Sequence, residues 1–255
     1  MNCDLSDQGL ILSHPNTDAQ NSVILRHPPF CPMLHLSQDQ KSQISSDQKL
    51  KNAGISVAVA VILESLDNKV LLTRRPPHMR TFPNVWVPPG GGSEESESII
   101  DTGLREIQEE TGLKIHEVMI FANPLCLWES VYPPLLAKGD PKRHQLVVYL
   151  HILVKKTHKE LDLEILLDPQ ETDAYMWLDL DQVKVATNYS VPLDQNAQVL
   201  VKELKNGDLV DVFKSYGVFR ADVPTSGTFD VERISTGTRF ALEQYFEKKG
   251  STSTM

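Results

Sequence analysis

The chain is short of cysteine, of long apolar runs, of positive charge and of internal repeats, and each shortage excludes a class of protein. Cys3, Cys31 and Cys126 are its only cysteines in 255 residues. They are widely spaced and form no CxxC pair, which argues against structural zinc or a disulfide framework and favours a reducing compartment. No apolar stretch approaches the ~18 residues of a membrane-crossing helix, and the opening residues lack the basic-then-apolar pattern of a secretory signal. A cytoplasmic or nuclear protein with no membrane partner is expected. The net charge of −9 speaks against DNA and against broad nucleic-acid binding. It leaves an RNA-linked substrate open, because the acids of a metal site are neutralised by their ions. Hydrophobic content of 40% and charged content of 23% are those of an ordinary globular chain.

What is present is unevenly distributed. Residues 1–52 are rich in Ser, Gln, Asp, His and Pro and read as a polar, poorly ordered arm, with one short strand possible at Ser22 to Leu25. From residue 53 the texture changes. Ile55 to Leu63 and Lys69 to Thr73 read as strands joined at Asp67-Asn68, and Val118 to Leu127, Gln145 to Val154 and Tyr175 to Leu178 as further strands. Helices are expected at Ser98 to Thr111, Asp179 to Ala186, Pro192 to Leu204 and Thr238 to Lys249. Strands, then a helix, then strands give at least an α+β class. The expected division is an arm over 1–52, one domain over 53–205 and a C-terminal extension over 206–255.

The densest signal lies at residues 91–113, GGSEESESIIDTGLREIQEETGL. Gly91, Glu97, Arg105, Glu106, Ile107, Glu109, Glu110, Gly112 and Leu113 follow the spacing G-x5-E-x7-R-E-U-x-E-E-x-G-U, where U is a bulky aliphatic residue. At a few per cent usage for each residue type, this arises by chance on the order of once in 10^9 starting points. On a helix, Glu106, Glu109 and Glu110 stand at i, i+3 and i+4 on one face, while Ile99, Ile100, Leu104 and Ile107 lie largely on the other. Like charges so spaced repel by a few tenths of a kcal/mol per pair. A divalent cation relieves that crowding, since Mg2+ prefers carboxylate oxygen together with substrate phosphates. A merely solvated acidic face is the usual reading of a lone acidic run, and the surrounding pattern outweighs it here. Upstream, Val85 to Gly92 runs from a short apolar strand into prolines and glycines, where Gly90 and Gly91 let backbone N–H groups approach phosphate closely.

This pattern is the Nudix box, and the chain resembles the Nudix hydrolases. The resemblance implies an α/β fold, an α/β/α sandwich around a mixed β-sheet. It also implies a pyrophosphohydrolase dependent on Mg2+ or Mn2+ that cleaves a nucleoside diphosphate linked to another group. Glu106, Glu109, Glu110 and Glu97 are then the metal ligands, with Glu97 in the outer position. Glu106 or Glu109 serves as catalytic base and Arg105 as the ion pair that orients them. Glu171, in a later loop, is an alternative base. Gly92 stands where relatives often carry histidine. The runs LLTRR, FPNVWVPPGG, LWESVYPP and H-x-x-V-V-Y-L, with the FCP segment at Phe30 to Pro32, resemble the animal Nudix group numbered seventeen. That group is associated with hydrolysis of the 7-methylguanosine cap of messenger RNA to 7-methylguanosine diphosphate and a 5'-monophosphate RNA.

The box does not fix the substrate. Candidate contacts beside Gly90 and Gly91 are Arg74, which could clamp phosphate, and Trp128 and Tyr132, which could stack on a base. Arg74 and Arg75 alternate across a strand, so at most one faces the site. A coenzyme A or other nucleotide-derivative pyrophosphatase is the alternative enzyme, and a non-catalytic nucleotide-binding Nudix module the alternative of another kind. Proteins of the second kind commonly lose box glutamates, and all four are present here.

Overall fold

The structure, a computed structural model, describes residues 2–6, 9–13, 23–29, 31–46, 55–133, 139–188, 190–194, 196–220 and 231–252. Strands β1 (Asn2–Ser6) and β2 (Gly9–Ser13) pair with each other. Strand β3 (Ile24–Arg26) is followed by helices α1 (Pro32–His35) and α2 (Gln38–Ser46). Next come β4 (Ile55–Glu64), β5 (Val70–Arg74), β6 (Val85–Val87), β7 (Gly90–Gly92) and α3 (Ile99–Thr111). Then follow β8 (Met119–Tyr132), β9 (Arg143–Val154), α4 (His158–Asp162), β10 (Ala174–Leu178) and α5 (Leu180–Thr187). The chain closes with β11 (Gln198–Lys205), β12 (Asp208–Ser215), α6 (Gly217–Arg220), β13 (Arg233–Ile234) and α7 (Thr236–Thr252).

Eleven strands form one mixed sheet in the order β12-β11-β10-β5-β4-β9-β8-β3, with β7 against β4, β6 against β5, and β13 against β6. Its centre is the parallel pair β4–β9, in register from Ile55 opposite His144 to Glu64 opposite Leu153. A strand buried on both faces needs a nearly unbroken apolar run, and ISVAVAVILE supplies one. Its alternation sorts the two layers. Val59, Val61 and Leu63 meet Ile107 and Ile99 of α3, together with Leu127, Val148 and Leu150. Ala60 and Ile62 face the other way, toward Val183 of α5 and Phe240, Leu242 and Tyr245 of α7. The fold is an α/β sandwich of the expected kind.

The helix expected over Pro192 to Leu204 is not there. Gln198–Lys205 is strand β11, with alternating burial, and it pairs antiparallel with β12 around Asn206-Gly207. Both turn residues have positive φ, 55° and 93°, the signature of a two-residue hairpin, for which Asn-Gly is the strongest short-range signal. Residues beyond 205 add strands to the sheet, and α7 adds side chains to the main apolar cluster. Within the arm, β3 pairs parallel with β8 at Ile24 opposite Cys126. Val23 and Leu25 pack with the α3-side cluster, and Cys31, Pro32 and Leu36 are buried. Among the described residues no helix is long and apolar enough to cross a membrane.

Candidate active site

Helix α3 begins and ends where the sequence places it. Ser98 is the N-cap, its side chain accepting from the Asp101 N–H, and Gly112 closes the helix in the left-handed region at φ 72°. Ile99 and Ile107 are buried beneath the helix, which turns the acidic residues toward the glycine strand β7. Two glycines there matter, Gly90 because backbone fills the space of a side chain and Gly91 because the Glu106 carboxylate does. A Cβ on Gly90 would stand 2.2 Å from the Val59 carbonyl oxygen, and one on Gly91 would stand 2.4 Å from the Glu106 carboxylate.

Arg105 organises the carboxylates. Its Nε donates to Glu97 Oε1 (2.8 Å), Nη1 donates to Glu106 Oε1 and Glu109 Oε2 (2.8 Å each), and Nη2 donates to Glu97 Oε2 (3.0 Å) and the Gly92 carbonyl (2.9 Å). Hydrogen bonding from Arg105 holds the Glu97 carboxyl down at about 2. Burial pushes Glu106 upward, against the pull of Arg105. Glu110 lies deeper, 6% exposed. It accepts from the Gly90 N–H (3.0 Å), the Thr73 hydroxyl (3.0 Å) and the Thr172 hydroxyl (3.3 Å). Burial nevertheless raises its carboxyl to about 7, with the charges of Glu106 and Glu171 adding to the effect.

The fold gathers Glu97, Arg105, Glu106, Glu109, Glu110, Gly90 and Gly91 in one place. Glu171, exposed in the loop before β10, brings its charge to bear on Glu106, Glu110 and Arg75. Three other candidates are not part of this group, and strand alternation is the reason. Arg74 lies on the face opposite Thr73 and is committed to Asp173 (2.8 Å), Glu203 (2.8 Å) and Glu232 (3.3 Å), with its guanidinium over Trp86. Trp128 is buried against Phe240 on the α7 side, ring centroids 5.7 Å apart. Tyr132 shares the phase of Trp128 and is 45% exposed at the far end of β8.

Arg75 is the arginine that faces the carboxylates. Burial lowers its pKa, and the charges that oppose this are Glu110 and Glu171. Its Nε donates to the Thr81 carbonyl at 3.1 Å. The sequence pointed to Arg74 instead, because the phase of a strand end is set by packing, and here packing turns Arg75 toward the acids and Arg74 away. Thr73 and Thr172, both donors to Glu110, carried no sequence signal.

A divalent cation fits this donor set. Carboxylate oxygens crowd around a single guanidinium, and the carboxyl of Glu110 is held by three donors in a site that disfavours its charge. Among the described residues no three acidic, histidine or cysteine side chains converge as a finished cage. Mg2+ does not require one, since it binds through one or two carboxylates and completes its shell with phosphate and water.

Residues 54–197, more than half of the chain, match the family described as NUDIX domain. The chain belongs to the Nudix family. This Nudix hydrolase is 39% identical over 251 residues to the protein of Xenopus laevis described as m7GpppN-mRNA hydrolase NUDT17, covering 97% of this chain and 83% of that one. The human protein of the same description is 36% identical over 262 residues, covering 99% and 79%. A shorter likeness, 37% over 99 residues and 38% of this chain, is to the asymmetrical bis(5'-nucleosyl)-tetraphosphatase of Rattus norvegicus. Among solved structures, the MutT NUDIX hydrolase of Burkholderia pseudomallei superposes with a TM-score of 0.43 at 19% identity, covering 74% of this chain and 96% of that one.

Proposed function

We propose that this Nudix hydrolase cleaves the 7-methylguanosine cap of messenger RNA, releasing 7-methylguanosine diphosphate and a 5'-monophosphate RNA. The full set of box carboxylates, three of them on Arg105 and Glu110 on the Gly90 N–H, is the observation that carries hydrolysis. The extent of the likeness to relatives described as cap hydrolases supports the cap as substrate.

Glu106, Glu109 and Glu110 hold the cation in this reading, with Glu97 in the outer position and Mg2+ or Mn2+ as the ion. When bound, the cation polarises phosphoryl oxygens and cancels negative charge at the bridge. The protein's own part is positioning and proton transfer. Arg105 keeps Glu97, Glu106 and Glu109 in register with the glycine strand. Gly90 closes against β4 and holds Glu110 by its N–H, and Gly91 leaves the Glu106 carboxylate its place. Arg75 stabilises charge on the phosphate that leaves. Glu106 or Glu109 accepts the proton of the attacking water, and Glu171 is the second choice because its charge reaches the same group.

Glu109→Gln is expected to keep the fold and lower turnover at least ~100-fold, as removal of a charge-neutralising ligand does. The substrate is tested by a panel of capped RNA, coenzyme A, ADP-ribose and dinucleoside polyphosphates with Mg2+ and Mn2+. Cap cleavage to the diphosphate should dominate. A preference for dinucleoside polyphosphates, or for coenzyme A, would overturn the substrate while leaving the hydrolase.

A further inference from the structure

Among the described residues, Arg233 is an arginine without an anion. It lies in β13, is 3% exposed, and its Nε is fully buried with no hydrogen-bond partner. The neighbouring acid, Glu232, is taken up by the Trp86 indole N–H (2.9 Å), Lys214 (2.8 Å) and Arg74 (3.3 Å). Burial lowers the pKa of Arg233, and no charge among the described residues opposes it. Guanidinium stays protonated in proteins, and an isolated buried charge is so costly that it is ordinarily paired or made to bind an ion.

Its position says which ion. Strand β13 pairs parallel with β6, Arg233 opposite Val85 and Ile234 opposite Trp86. Ile234 and Trp86 both belong to the cluster under α7, so Arg233 projects to the opposite face, the face of α3. Arg75 is at the same level, since its N–H bonds to the Val85 carbonyl at 3.1 Å. It shares the phase of Thr73, the donor to Glu110. The two arginine backbones are thus separated by β6, about 10 Å apart at ordinary strand spacing. Strand β6 itself runs on into Gly90.

We propose that Arg233, together with Arg75, forms the seat for a substrate phosphate on the side of the bridge away from the box carboxylates. Arginine forks suit phosphate oxygens in such a seat. Placed there, the pair separates the two ends of a phosphate chain, with the cation-binding acids at one end and two guanidiniums at the other. The proposal rests on the pyrophosphohydrolase reading and deepens it by assigning a phosphate contact to β13.

The test uses the full chain and inorganic pyrophosphate in EDTA, so that metal-mediated binding is removed. Pyrophosphate should bind the wild type and raise its melting temperature. Arg233→Met should weaken that binding at least about tenfold, and Arg233→Lys should do so less. Without ligand, Arg233→Met should melt higher than wild type, because an unpaired buried charge has been replaced by an apolar side chain of similar length. With Mg2+ and capped RNA, KM should rise more than kcat falls. Unchanged pyrophosphate binding in a folded Arg233→Met, or no metal-free binding by the wild type, would overturn the proposal. So would a lower melting temperature combined with an unchanged pyrophosphate response, which would mark a structural arginine. If Arg233→Met does not fold, the Lys variant and the wild-type titration decide. Pyrophosphate binding that depends on Arg233 in a protein inactive on caps would sink the cap and keep the seat.

Discussion

Glu110 shows how one residue can oppose the stability of the fold that buries it. Its carboxyl sits near 7 in the folded protein, against 4.5 as the ordinary value. The folded state therefore holds a proton that the unfolded chain releases. Stability associated with that proton is present below about 4.5 and is lost as pH rises through 7. A metal-free enzyme at pH 8 carries the full burden, and the proposed cation beside the carboxylate would relieve it. Glu110→Gln keeps an acceptor for the Gly90 N–H and removes the charge. At pH 8 in EDTA the variant is expected to be more stable than wild type by roughly 1–3 kcal/mol. It should also lose most of the rise in melting temperature that Mg2+ gives the wild type. A less stable variant in EDTA would show that the ionised carboxylate is needed by the fold. Arg105 cannot play the cation's part for Glu110, since its bonds go to Glu97, Glu106 and Glu109.

At the scale of elements, the arm and the hairpin are instructive. β3 adds an edge strand whose Val23 and Leu25 enter the core, and Arg26 reaches across to Glu243 and lies over Phe240 of α7. By contrast, β1 and β2 pair only with each other among the described strands. Removing residues 1–13 should leave the urea midpoint unchanged. Removing 1–36 should cost several kcal/mol, at about 1.5–3 kcal/mol for each buried aliphatic side chain lost. Equal midpoints for the two truncations would show that β3 is ornamental. The box helix was legible because its cap, its apolar stripe and its glycine stop all agree, from Ser98 through Ile107 to Gly112. Strand β11 was not, because VLVKELK followed by Asn-Gly satisfies a helix with a stop as readily as a strand with a turn. The neighbours decide, and Val199 and Val201 find their burial against the α5–α7 layer. The same limit hid the phase of Arg74 and Arg75, as well as the approach of Thr172 to Glu110 from a distant loop. Arg233 gave no signal, since only burial distinguishes it from a surface arginine.

The whole molecule is closed by α7, and a buried polar cluster fixes that helix to the sheet. His151 Nε2 meets Glu64 Oε2 at 2.7 Å, Lys249 pairs with the other oxygen of Glu64, and the His151 ring stands edge-on to Tyr245 and Phe121. Burial lowers the pKa of His151, against the pull of Glu64 and with the positive charges of Lys248 and Lys249 adding to the lowering. A neutral imidazole then donates to the carboxylate. Burial alone would raise Glu64, but its bonds from His151 and Lys249 prevail and bring it down. Both signs point the same way. The folded state resists protons that the unfolded chain accepts, so stability is full above about 6.5 and falls as the solution is acidified, first through His151 and below 4.5 also through Glu64. Urea midpoints at pH 7.5 and 5.5 should differ more in the wild type than in His151→Gln, and equal differences would assign the acid sensitivity elsewhere. The central pairing of β4 with β9 has a temporal consequence. During synthesis the box helix leaves the ribosome before β9, and long before β13 and α7. Pairings so distant along the chain close slowly. A nascent copy therefore carries β4 to β7, Arg75 and the box helix before β9 and α7 exist to close the sheet on either side of them.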